Sequence, residues 1–207
     1  MAVVRRIGVL GGAFDPPHRA HVALARAAVK QLALDHLWVV PTGSAWHKTR
    51  PLSEARHRLA MAKLAFREIP EVQVTDLEIQ RSGPSYTVDT LDALQAQASG
   101  TDVEWFLLMG ADQAHAFHTW RRQEDIVARV RLAVANRAIG DALEANTLTH
   151  LPWPMTLIDM PIDPVSSTLI RNQFSPSALT QADQPILDEA VAGYIAQHNL
   201  YLDKQHE

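Results

Sequence analysis

Cysteine is absent from the chain, and that absence removes disulfide bridges, thiolate zinc sites and thiol nucleophiles together. A cysteine-free chain suits a reducing cytosol, so a cytoplasmic location is expected. Basic excess is also missing: 19 Lys and Arg stand against 23 Asp and Glu, a formal charge of -4 at pH 7. Long-range attraction to a nucleic-acid backbone or an anionic membrane surface is therefore not expected, and any polyanionic ligand must be held by local groups. Long hydrophobic runs are wanting too. The apolar stretch near the N-terminus is broken at Gly11 and Gly12, far short of the roughly 18 residues a membrane span needs. No signal peptide or anchor is expected. Repeats, low-complexity tracts and linkers do not occur, and 207 residues of which 47% are hydrophobic predict one domain over residues 1–207.

What is present alternates. Val3 to Leu10 predicts a buried strand ending in a glycine turn, and His18 to Leu34 an amphipathic helix whose apolar face carries Val22, Leu24, Ala25, Ala28, Val29 and Leu32. His36 to Pro41 is a second strand, Thr42 to Pro51 a loop, and Ser53 a cap for a helix through Phe66. Val72 to Ile79 reads as a third strand, and the residues from Ser85 or Thr87 to Ala98 as a helix. Trp105 to Met109, Arg131 to Ala135 and Met155 to Met160 read as further strands, with a helix over Gln123 to Arg129. Two closing helices, Ser166 to Phe174 and Pro185 to His198, complete the order. Strands alternating with helices predict an α/β fold: a doubly wound, Rossmann-like parallel sheet with C-terminal helices. Ligands in such sheets bind beyond the carboxyl ends of the strands, where the strand order reverses.

Two constellations carry chemistry. Gly11 to His21 (GGAFDPPHRAH) joins the first strand to the first helix. Its glycines let a ligand approach the backbone, the helix start offers N–H groups, and His18 and His21 project from the first turn, together an anion cradle. A strand-to-helix turn with two surface histidines, or a metal held by Asp15, His18 and His21, are the other readings of the same residues. No Gly-Lys-Ser/Thr follows the glycines and no Gly-x-Gly-x-x-Gly occurs, so neither a Walker loop nor a dinucleotide fingerprint is present. Far along the chain, Ser166, Ser167 and Thr168 open a helix that carries Arg171. Ser166 reads as an N-cap, and the hydroxyls with the guanidinium also form a pyrophosphate seat.

GGAFDPPHRAH resembles the histidine signature of the nucleotidylyltransferase superfamily, and SSTLIR (166–171) resembles its C-terminal phosphate motif. Along nearly its full length the chain resembles the bacterial nicotinate-nucleotide adenylyltransferases. Further matching pieces are His47-Lys48, Ser85 to Leu91, Gly110-Ala111-Asp112, Trp120 and the ending Ala192 to Tyr201. Ala20 stands where that family has glycine, Ala13 where it has threonine, and Ala138-Ile139 after Arg137 where it has proline and glycine.

The resemblance implies transfer of AMP from ATP to nicotinate mononucleotide, yielding deamido-NAD and pyrophosphate without an enzyme nucleophile. By the same resemblance His18, His21 and Arg171 are the catalytic residues, and Gly11, Gly12, Phe14, Lys48, Ser166, Ser167 and Thr168 hold ATP and its phosphates. Tyr86, Thr87, Asp112, Trp120 and Arg137 bind the mononucleotide, Trp120 by stacking and Thr87 as a donor to the carboxylate. Each has a plainer role open to it: Lys48 as a solvated lysine, Asp112 as a helix cap, Trp120 as core. Magnesium is implied as a companion of ATP without a dedicated protein site. The partners implied are these small molecules, with no nucleic acid and no membrane. Phosphopantetheine adenylyl transfer and a non-catalytic nucleotide-binding module are the rival readings.

Overall fold

In the computed structural model residues 4–44, 52–98, 102–135, 152–161, 163–172 and 186–201 are described. The six strands are β1 (Arg5–Gly12), β2 (His36–Pro41), β3 (Val72–Val74), β4 (Val103–Gly110), β5 (Arg131–Ala135) and β6 (Met155–Ile158). They form one sheet in the order β3-β2-β1-β4-β5-β6, with every neighbouring pair parallel. The helices are α1 (Arg19–Leu32), α2 (Ala55–Phe66), α3 (Leu77–Gln80), α4 (Thr87–Gln97), α5 (Ala111–Ala116), α6 (Gln123–Val127), α7 (Ser167–Asn172) and α8 (Glu189–Gln197). A 3₁₀ turn covers Phe117–Thr119.

Strand residues alternate between two cores. In β4, Phe106 and Leu108 join Leu24, Leu37, Phe66 and Val191 beneath α1, α2 and α8. Trp105, Leu107 and Met109 face the other way, onto Val88, Leu91 and Ile126 of α4 and α6. A sheet covered on both faces reads as continuous apolar runs, which is why its strands were legible as strands. Each fully buried Leu or Phe in these layers contributes about 1.5–3 kcal/mol by leaving water. The chain winds outward from β1 through β2 to β3, then returns and winds from β4 to β6. The order therefore reverses between β1 and β4, and the crevice beyond their carboxyl ends is where such sheets take ligands.

Several boundaries differ from expectation. β1 continues two residues into the glycine pair because Gly11 and Gly12 pair with Val40 and Pro41. The predicted strand over 72–79 stops at Val74, and Leu77–Gln80 turns into a short helix. Thr75 Oγ1 accepts from the Leu77 amide at 3.3 Å and Asp76 binds the Gln80 side chain at 2.7 Å, local bonds that compete with an edge strand paired on one side. Ser53 does not cap α2: Glu54 holds that position without a side-chain bond. Instead the Ser53 amide donates to Asp15 and its carbonyl accepts from Arg58. α5 and the 3₁₀ turn, which carry the chain from β4 toward Trp120, were not anticipated as separate elements. α8 is capped by the Asp188 carboxyl, which accepts from the Ala190 amide at 2.8 Å.

Candidate active site

A cleft of about 490 Å³ opens beyond the ends of β1 and β4, a size suited to a small-molecule ligand. An ideal Cβ built on Gly11 would meet nothing within 4 Å, so its backbone is approachable from the cleft. A Cβ on Gly12 would lie 3.0 Å from the Phe14 ring. Phe14 itself has φ 47° and is 1% exposed. That left-handed backbone is strained for a residue with a side chain and is held by its packing. The ring lies edge-on to His21 (centroids 5.2 Å apart) and to Phe66 (5.7 Å). Phe14 is thus a buried support beneath the Gly11–His21 loop and does not line the cleft, unlike the ATP contact that the resemblance implies.

His18 ends the loop as the N-cap of α1, and the two imidazoles lie 3.9 Å apart between centroids. The His18 backbone N–H donates to His21 Nδ1 at 3.2 Å. A ring nitrogen that accepts such a bond carries no proton, so in the neutral ring the His21 N–H sits on Nε2, available to an anion. Both histidines line the cleft. The first-turn amides contribute less than expected, since that of Arg19 is taken by the Ile186 carbonyl and that of His21 by the His18 carbonyl.

The second motif reaches this loop across the whole chain. Arg19 forms a two-pronged pair with Asp163, at 2.7 and 3.2 Å. Ser167 Oγ donates to the Pro16 carbonyl at 2.9 Å, and Arg171 donates to the Asp15 carbonyl at 2.6 Å. Ser166 and Ser167 line the cleft, and Ser166 Oγ also accepts from the Leu169 amide as an ordinary cap. Thr168 and Arg171 are not on the cleft wall. Arg171 is 7% exposed and holds Thr168 Oγ1 at 2.9 Å, so here it braces the Gly11–His21 loop from behind. Its planar fork suits bonding to carbonyls as well as to phosphates. Lys48 and Arg137 lie outside the described residues, as do Ala138 and Ile139.

On the opposite wall, Tyr86 caps α4 and Thr87 begins it. Both line the cleft with Asp112 and Trp120. Asp112 lies in the first turn of α5, whose N-cap is Gly110, so it is not the capping residue. Trp120 is half-buried, leans on Phe117 at 5.2 Å, and Phe117 in turn meets Trp153 edge-on at 5.0 Å. Arg121, the next residue, places its guanidinium 4.7 Å over the Tyr86 ring.

Three residues that matter to this geometry escaped the sequence. Arg58, 1% exposed, bonds the carbonyls of Ser53, Ala13 and Gly43 at 2.9, 3.1 and 3.2 Å. It ties the loops after β1 and β2 to the start of α2. Burial lowers its pKa, and Asp15, Tyr201 and Glu78 act against that shift. Glu78 lines the cleft and accepts from Thr90 at 2.7 Å. Burial raises its pKa, opposed by bonds from Thr90 and Ser85, the charge of Arg81 and the Gly43 amide. A Cβ on Gly43 would lie 2.1 Å from the Glu78 carbonyl oxygen, so only glycine permits this approach. Tyr201, near the C-terminus, donates to Asp15 Oδ1 at 2.7 Å. A proline-aspartate loop beside a histidine pair was the one signal available for Asp15; a lone arginine on a helix carries none.

Among the described residues no group of three His, Asp or Glu side chains is placed to hold a metal, and no helix is long and apolar enough to cross a membrane. The family profile described as cytidylyltransferase-like matches residues 9–173. A protein of Albidiferax ferrireducens named probable nicotinate-nucleotide adenylyltransferase is 49% identical over 201 residues, which cover 96% of this chain and 98% of the relative. One of the same name from Bordetella petrii is 40% identical, covering 96% of this chain and 100% of the relative. The solved structure of Plasmodium falciparum nicotinic acid mononucleotide adenylyltransferase complexed with NaAD superposes with a TM-score of 0.71 at 21% identity, over 95% of this chain and 97% of that one. That last likeness bears on the fold alone.

Proposed function

The chain belongs to the nicotinate-nucleotide adenylyltransferases of the cytidylyltransferase-like family, and from that premise we propose that its cleft joins the AMP of ATP to nicotinate mononucleotide. A phosphate oxygen of the mononucleotide attacks the α-phosphorus of ATP. The bond from that phosphorus to the bridging oxygen breaks, and pyrophosphate leaves with the electron pair. No group on the protein is adenylylated on the way, so alignment of two anions and stabilisation of charge in the transition state are what the protein supplies. His21 Nε2–H and His18 face the reacting phosphates, Ser166 and Ser167 receive the departing pyrophosphate, and Trp120 with Thr87 receives the pyridine ring. The observation that carries this reading is the meeting of the Gly11–His21 loop, the Ser166–Ser167 pair and the Tyr86–Thr87 and Trp120 wall on one cleft at the switch point.

Magnesium fits as an ion brought with ATP. Asp112, an exposed carboxylate on the cleft, is the residue that would help hold it. When bound it would withdraw charge from the phosphates. Cytoplasmic residence belongs to the same reading, with which a cysteine-free chain agrees.

Purified protein given magnesium, ATP and nicotinate mononucleotide should form the deamido dinucleotide and one pyrophosphate per turnover, followed by chromatography and a pyrophosphate assay. Chelation of magnesium should stop the reaction, and phosphopantetheine should give no adenylylated product. A folded sample silent with nicotinate mononucleotide across neutral pH would refute the assignment.

A further inference from the structure

Among the described residues that line the cleft, Arg121 is the single lysine or arginine. Its neighbours along the chain are engaged: Arg122 pairs with Asp125 and Asp92, and Arg129 with Asp92. Arg121 meets no carboxylate among the described residues. Its guanidinium is stacked over the Tyr86 ring, 4.7 Å from the centroid. Stacking fixes the plane and the position of the guanidinium while leaving its edge N–H donors for a ligand. Tyr86 is the N-cap of α4, Thr87 is the first helical residue, and Trp120 is the residue before Arg121. The guanidinium is therefore attached to both elements proposed to hold the pyridine ring, on the wall opposite the histidine pair. The acids of the same cleft, Glu78 and Asp112, would repel an anionic ring substituent and make a cation there more consequential.

We propose that Arg121 is a specificity-determining residue that recognises the carboxylate of the pyridine acceptor and so separates the acid from the amide. The inference rests on the adenylyl-transfer reading and sharpens it. A carboxylate is acceptor-only and charged, matching a guanidinium edge with two parallel bonds, whereas a carboxamide offers one acceptor and places its NH₂ against the same donors. The discrimination acts in the ground state, because the carboxylate does not change during transfer at phosphorus, so it appears in KM.

The test compares nicotinate and nicotinamide mononucleotide in the wild type, Arg121→Gln and Arg121→Lys. Arg121→Gln should lower the acid-to-amide ratio of kcat/KM roughly tenfold, through KM for the acid, with kcat and the amide values little changed. Arg121→Lys, which keeps a charge and loses the fork, should retain an intermediate ratio. Raising salt from about 0.05 to 0.5 M should erode the preference of the wild type and not that of Arg121→Gln. An unchanged ratio in Arg121→Gln overturns the inference. An equal loss for both acceptors also overturns it, since it places the guanidinium on the phosphate they share. A lysine variant no better than the glutamine variant overturns it as well, assigning the effect to packing on Tyr86. Acceptor binding by calorimetry without ATP separates this from the parent reading. If the wild type makes no dinucleotide but still binds the acid in preference, and Arg121→Gln does not, the transfer reading fails and the role of Arg121 stands.

Discussion

His18 and His21 stand three residues apart but are not equivalent. His18 is 4% exposed and its backbone N–H anchors the ring of His21, whose Nε2–H is the outward donor. Replacing His21 with Ala should lower kcat by about 10²–10³, equivalent to roughly 3–4 kcal/mol of transition-state stabilisation. His18→Ala should lower kcat comparably and also reduce the melting temperature, because it empties a buried position. Single-turnover rates with thermal melts on both variants check the asymmetry, and two variants with near-normal rates would remove the histidines from the mechanism. Ala20, where the family has glycine, lies in the first turn of α1, 5% exposed, and is not among the residues with positive φ. Helical backbone accepts alanine readily, so this departure needs no compensating change.

Among the elements, α2 shows how a helix remote from the reaction shapes the cleft. Arg58 on its buried side holds the loops that follow β1 and β2. On its outer side His57 Nδ1 lies 2.9 Å from Tyr194 Oη of α8, with the His198 ring 5.0 Å away. Burial lowers the His57 pKa from 6.5, reinforced by Arg56 and His198 and opposed by Glu54. The folded state therefore prefers the neutral ring. The stability this contact supplies is present above pH 6.5 and is lost as pH falls through the depressed folded value. His57→Gln cannot acquire the charge, so the melting-temperature advantage of wild type over this variant should shrink between about pH 7.5 and 5.5. A gap independent of pH would show that the α2–α8 contact does not titrate. The contact is only partly buried, so solvent screens it and the effect is modest.

At the scale of the whole molecule, the Gly11–His21 loop is held by residues from distant parts of the chain. Asp15, 1% exposed, receives the Tyr201 hydroxyl and the Ser53 amide on its carboxyl oxygens, while its carbonyl receives Arg171. Burial, then the charge and hydrogen bond of Asp15, raises the Tyr201 pKa, which keeps the phenol a donor at all ordinary pH. Tyr201→Phe removes one hydroxyl and should cost about 1–3 kcal/mol in denaturant unfolding, since a buried acceptor loses a donor. Because Asp15 lies three residues before His18, kcat should fall as well, with KM for ATP little changed. Full stability in Tyr201→Phe would show that the C-terminal segment is not part of the loop's support.

The sequence alone determined the winding of the sheet, because strands buried on both faces must be continuously apolar and helices between them amphipathic. Val3–Leu10, His36–Pro41 and Arg131–Ala135 announced themselves in that way. It also marked Gly11–His21 and Ser166–Ser167 as separate anion-binding candidates; only the family resemblance implied a shared site, and the fold lines one cleft with residues of both. Local pattern misjudged Val72–Ile79, where side chains of Thr75 and Asp76 end the strand, and Ser53, whose amide is claimed by Asp15. The tertiary structure alone decided which side chains face the cleft and which face the protein interior. Phe14 and Arg171 sit in motifs that resemble ligand-binding signatures yet turn inward, whereas Arg58, Glu78 and Arg121 had no motif to mark them. A side chain's partners are set by which loops the sheet brings together, over separations as large as the 186 residues between Asp15 and Tyr201. No periodicity in a single stretch of chain records such a meeting.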